Sequence, residues 1–148
     1  MKIKYKNDNV VVTFYEYIPS YPYQKDMVEM WSKSWAKQGW ETIILGKEQA
    51  KTYPKYGKII GAHWLTNWNH FLAACYKRYM AAWSYGDCLF CDPDVINYGW
   101  KYTNLKNIPR NKLAILGNGV PCLLYGTKEQ YNNILEFYKT AARKPHSL

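Results

Sequence analysis

Two aspartates flanking a proline, Asp92-Pro93-Asp94, directly follow the apolar run Cys88-Leu89-Phe90-Cys91. Proline fixes its own φ, so the two carboxylates are held in a defined relative geometry. Hard carboxylate oxygens suit Mg²⁺ or Mn²⁺, and such cations commonly join one or two protein carboxylates to the phosphates of a substrate. A solvated surface turn would by itself account for Asp-Pro-Asp. The setting argues for more. Of the 11 acidic residues, none lies between Glu48 and Asp87 and none between Asp94 and Glu129. Asp87, Asp92 and Asp94 therefore stand alone between two acid-free stretches.

The elements that must position this pair follow from hydrophobic periodicity. Val10 to Tyr15 is a β-branched and aromatic run, the pattern of a buried strand. Met27, Met30, Trp31 and Trp35 repeat at helical spacing and predict a helix over 24–38, stopped by Gly39. Trp40 to Leu45 reads as a second strand, so the opening strand–helix–strand implies a parallel pair. Residues 47–67, with Pro54, Gly57 and Gly61, read as loop or short helical turns. A helix is expected over about 68–85, with Leu72, Cys75, Tyr76, Tyr79, Met80 and Trp83 on one face and Gly86 as its stop. The Cys88–Cys91 strand comes next. Lys112–Leu116 and Val120–Tyr125 read as two further strands around Gly117-Asn118-Gly119, and Thr127 caps a final helix. The sum is one domain, residues 1–148, of three-layer α/β/α class with a mostly parallel sheet. In such sheets ligands bind beyond the carboxyl ends of the strands, which is where Asp92 and Asp94 fall.

Composition narrows the field. An apolar fraction of 48% excludes disorder, and 9 Gly with 7 Pro exclude a fibrous or low-complexity chain. Twenty basic residues against 11 acidic give a net charge of +9, spread evenly through both halves, which calls for an anionic partner. Aromatic residues reach 18%, a supply of flat faces for sugars or bases. Cys88 and Cys91 have C-x-x-C spacing but no second pair completes a zinc site, and on a strand residues three apart face opposite ways. Buried reduced thiols fit a cytoplasmic protein. Met1-Lys2-Ile3-Lys4 lacks the apolar segment of a signal peptide, and no run approaches the roughly 18 apolar residues of a membrane span.

The stretch Tyr76-Lys77-Arg78-Tyr79-Met80, then Ala81 to Gly86, then Cys88-Leu-Phe-Cys-Asp-Pro-Asp-Val-Ile96 resembles the core of the DXD-containing glycosyltransferases of the GT-A fold. The likeness is specific over about residues 71–97 and looser over the opening strand–helix–strand. It implies a short GT-A-like, nucleotide-diphospho-sugar transferase domain that is metal-dependent. By that resemblance Asp92 and Asp94 would hold Mn²⁺ or Mg²⁺, and Lys77 or Arg78 would reach the acidic pair or the donor. Phe14, Tyr15 and Glu16 would hold base and ribose, and His146 would be a third metal ligand. The chain departs from the family at Asp87, which replaces a second glycine, and in its short acceptor side.

Other candidates are less determined. Asn118 between two glycines either approaches the donor sugar or simply closes a hairpin. Trp31, Trp35 and Trp83 fall at core spacing, and His63 and His70 suit structural hydrogen bonds. Asp87, Glu16 and Glu129 are equal candidates for a base that activates the acceptor. The expected function is transfer of a sugar from a nucleotide-diphosphate donor. The acceptor is unidentified, and the charge suggests an anionic one: nucleic acid, lipid-linked phosphate or acidic glycan. The alternatives are a non-catalytic, basic nucleic-acid-binding module and a degenerate transferase that only binds nucleotide sugar.

Overall fold

The computed structural model describes residues 9–61 and 70–141; His63 and His146 lie outside the described residues. Strand β1 (Val10–Phe14) is buried along its whole length, as a β-branched run covered on both faces must be. Helix α1 (Gln24–Ala36) ends at Gly39, whose φ of +87° is the left-handed conformation that terminates helices. Strand β2 (Glu41–Leu45) pairs in parallel with β1, Val10 opposite Glu41 and Phe14 opposite Leu45. The segment read as loop or short turns holds two five-residue helices, α2 (Lys47–Lys51) and α3 (Tyr56–Ile60). Helix α4 (His70–Tyr85) leads through Gly86, at φ +108°, into β3 (Cys88–Cys91). After a 3-10 turn at Tyr102–Asn107 come β4 (Ala114–Ile115), β5 (Leu123–Gly126) and α5 (Lys128–Ala141).

The five strands form one sheet in the order β2-β1-β3-β5-β4. Its β2-β1-β3 half is parallel, but β5 runs antiparallel to both β3 and β4. The sheet is therefore mixed, which corrects the expectation of a mostly parallel one. The reason is local. Only a seven-residue connection, 116–122, with one turn in it joins β4 to β5, and so short a connection permits antiparallel pairing alone. Asn118 (φ +34°) and Gly119 (φ +80°) occupy that turn. Val120 and Pro121, expected in a strand, fall in the connection, so β5 begins at Leu123.

Alternation along the strands divides the core in two. Val10, Val12, Phe14, Cys88 and Phe90 face α4 and α5, packing against Tyr79, Met80, Tyr131 and Leu135. Val11, Leu89 and Cys91 face the other way, onto Trp31, Trp35, Trp40 and Leu105. Helices thus cover both faces, giving three layers. Cys88 and Cys91 indeed point to opposite sides and are free thiols. The connection from β1 to β2 runs over the tryptophan face through α1. The connection from β2 to β3 runs over the opposite face through α4 and arrives on the far side of β1. Strand order therefore reverses between β1 and β3, and a crevice opens beyond their carboxyl ends.

Candidate functional site

Residues just past β1 and β3 meet the middle of α4 at that crevice. A cavity of about 260 Å³ is lined there by Phe14, Tyr15, Glu16, Arg78, Asp92 and Asp94 among others. Its floor and apolar wall come from Phe90, Ile18, Met27, Ala74 and Cys75. Sequence reasoning missed these last four and Gln24. Ala74, Cys75 and Arg78 sit at i, i+1 and i+4, so going one turn back from Arg78 would have found two of them.

Two adjacent cations of α4 hold the two strand ends. Successive helical residues point about 100° apart, so Lys77 and Arg78 reach different strands. Lys77 Nζ donates to Glu16 beyond β1, at 2.7 Å to Oε2 and 3.1 Å to Oε1. Arg78 Nη1 donates to Asp92 beyond β3, at 2.7 and 2.9 Å to its two oxygens. Both pairs are largely withdrawn from water, the side chains of Lys77 and Glu16 being 9% and 19% exposed and those of Arg78 and Asp92 18% and 20%. Lys47, at the start of α2, adds a longer contact to Glu16 at 3.8 Å, a partner that no motif in the chain foreshadows. Arg78 also donates through Nη2 to the Tyr79 hydroxyl at 2.9 Å and lies 4.7 Å from the centre of that ring.

Burial pushes the Asp92 carboxyl above its ordinary range, and Arg78 pulls it back only in part. Burial also opposes the Arg78 charge, but Asp92 and the Tyr79 hydroxyl outweigh it and hold the guanidinium above its usual value. The Arg78 Nε atom is buried with no hydrogen-bond partner.

Asp94 is different. It is exposed, lines the same cavity, and has no hydrogen bond or ion pair among the described residues. The turn that presents it is closed by the Val95 N–H donating to the Asp92 carbonyl at 3.1 Å, with Pro93 at its second position. The Asp92 N–H is itself fixed by the Cys122 carbonyl at 2.8 Å. No group of three His, Cys, Asp or Glu converges among the described residues. The described residues alone thus build no closed metal cage. Asp94 with Asp92 is a two-carboxylate donor set, and such a set fits Mg²⁺ or Mn²⁺ held jointly with substrate phosphates.

The remaining candidates separate cleanly. Glu16 is at the cavity. Asp87 precedes β3 and sits at the opposite end of the sheet, where its Oδ1 accepts the Lys128 N–H at 3.0 Å. Glu129 lies at that same far end, because Gly126 of β5 pairs with Cys88. Asn118 is not among the residues lining the cavity and stands in the β4–β5 turn. Trp31 and Trp35 are core, yet their indoles also brace the chain on either side of the Asp-Pro-Asp turn: Trp31 Nε1 donates to Cys91 Sγ at 3.4 Å before it and Trp35 Nε1 to the Val95 carbonyl at 2.9 Å after it. Compared with protein-family models, curated proteins and solved structures, the chain matches none.

Proposed function

We propose that this protein binds a nucleotide-diphosphate sugar in the β1/β3 crevice and transfers the sugar to an acceptor, as a metal-dependent glycosyltransferase of GT-A type. One observation carries the reading. An apolar slot, two largely buried cation–carboxylate pairs and an aspartate unpaired among the described residues converge where an α/β sheet reverses its strand order. Phe14, Tyr15 and Ile18 offer the slot a base would enter. Glu16, oriented by Lys77, would accept from ribose hydroxyls, and Arg78 would orient Asp92 while presenting positive charge toward a diphosphate. Asp94 and Asp92 would hold Mg²⁺ or Mn²⁺, which when bound supplies Lewis-acid neutralisation of the diphosphate leaving group. Of the three base candidates only Glu16 lies where it could serve an acceptor, and its engagement by Lys77 favours a binding role for it.

The test is calorimetric titration of UDP, GDP and ADP with and without Mn²⁺. At least one diphosphate should bind, and Mn²⁺ should tighten it. Asp94→Asn should abolish the metal-dependent part. Equal affinity with and without metal, or equal affinity in the variant, would refute the metal role.

A further inference from the structure

A second concavity begins one residue beyond the first. Asp94 lines the crevice and Val95 lines a groove of about 590 Å³ that also includes Trp35, Asn97, Tyr98, Trp100 and Asn104. That volume is in the range of small-molecule sites. None of the residues lining the groove is charged, in a chain whose net charge is +9.

Tyr98 is the most exposed of the large apolar residues among those described, at 92%. It stands on a loop that is fixed from several sides. The Gly99 and Trp100 N–H groups donate to Asn97 Oδ1 at 3.0 and 2.8 Å, and Asn97 Nδ2 donates to the Trp100 carbonyl at 2.8 Å. The Asn97 N–H donates to Ser34 Oγ at 3.1 Å, and Trp40 Nε1 donates to the Trp100 carbonyl at 2.9 Å. The Trp100 ring stacks on Trp40, centroids 5.2 Å apart and planes 20° from parallel. These bonds fix the backbone on both sides of Tyr98, while its ring remains exposed to water.

We propose that this groove binds a neutral carbohydrate, with Tyr98 as its stacking platform. A pyranose has one apolar C–H face and a rim of hydroxyls. An aromatic ring and the Asn104 amide in a groove lined by no charged residue suit both. The proposal rests on the transferase reading for its meaning, since the shared Asp94–Val95 peptide would put such a sugar beside the donor as acceptor. It replaces the anionic acceptor that net charge alone suggested.

The test uses the whole chain without metal or nucleotide, so its outcome is independent of donor binding. Short neutral oligosaccharides of glucose, galactose and mannose are titrated against tryptophan fluorescence, which Trp35 and Trp100 report. An acidic oligogalacturonate and an apolar peptide serve as controls. At least one neutral glycan should bind. Tyr98→Ala should weaken it by about tenfold, the order expected when a stacking platform is removed. Tyr98→Phe should restore it, and neither variant should move the melting temperature, because the side chain is exposed. No binding by any neutral glycan, binding of only a control, or equal affinity in Tyr98→Ala overturns the proposal. Metal-dependent donor binding measured alongside isolates a failure of the transferase reading from a failure of the groove.

Discussion

The two ends of β3 carry the same residue type and do different work. Asp87, just before the strand, is exposed and caps the first turn of α5 through the Lys128 N–H. Asp92, just after it, is largely buried and bound to Arg78, while Asp94, two residues on, is exposed and unpaired among the described residues. At the first end the carboxylate completes a helix terminus left with unsatisfied N–H groups, and its charge suits the positive end of the helix dipole. At the other end one carboxylate is organised and its neighbour is left available. An aspartate that stabilises and one that waits for a ligand are thus told apart by partners, not by residue type.

The sharpest way to break the contrast is Arg78→Ala. It strands the Asp92 carboxylate in a largely buried position, and losing one partner of such a pair costs about 3 kcal/mol. For a chain of this size that lowers Tm by roughly 6–12 °C. Adding Asp92→Asn should recover much of the loss, and a double variant no more stable than the single one would show that Arg78 acts through packing on Tyr79. Asp87→Ala removes only an exposed cap and should cost about 1 kcal/mol in urea unfolding while leaving nucleotide affinity alone. Asp94→Asn should shift stability by less than about 0.5 kcal/mol, as an exposed residue with no partner. A large loss there would make the turn structural and remove the contrast.

The strand between these ends supplies a further check. Burial pushes the Cys88 thiol up to about 12 and that of Cys91 up as well, so both should resist alkylation at neutral pH until the sheet opens. The half-buried Cys75 and Cys122 should label before either of them. Both strand thiols keep their protons longer in the folded state than in the unfolded chain, and so does the fully buried Tyr131 hydroxyl. The unfolded state therefore binds fewer protons above about pH 9, and stability should fall as pH rises from there toward 12. A flat urea midpoint between pH 8 and 11 would contradict the burial of this strand.

What the sequence by itself determined was local. Continuous apolar or β-branched runs placed β1, β2 and β3 and a period-3.6 stripe placed α1, since a strand covered on both faces has no polar side and a helix turns one side to the core. Gly39 and Gly86 marked helix ends because only glycine adopts their positive φ without strain. Thr127 was legible as a cap, and its Oγ1 accepts the Gln130 N–H at 3.3 Å while Gln130 Oε1 accepts the Thr127 N–H at 2.9 Å. The position of Asp92 and Asp94 past a strand end was equally plain. Tertiary structure alone decided the rest, because it depends on which strands become neighbours. β1 and β3 lie side by side only after two crossovers on opposite faces, and that adjacency brings Lys77 to Glu16 and Arg78 to Asp92 across 61 and 14 residues. The reversal of β5 sent Glu129 to the far end of the sheet, where Asp87 already stands before β3, while Glu16 follows β1 at the crevice. Asn97 and Tyr98 gave no signal in the chain, since a clamp and an exposed ring have no periodicity; they acquire meaning only where α1, β2 and the loop after Asp94 meet.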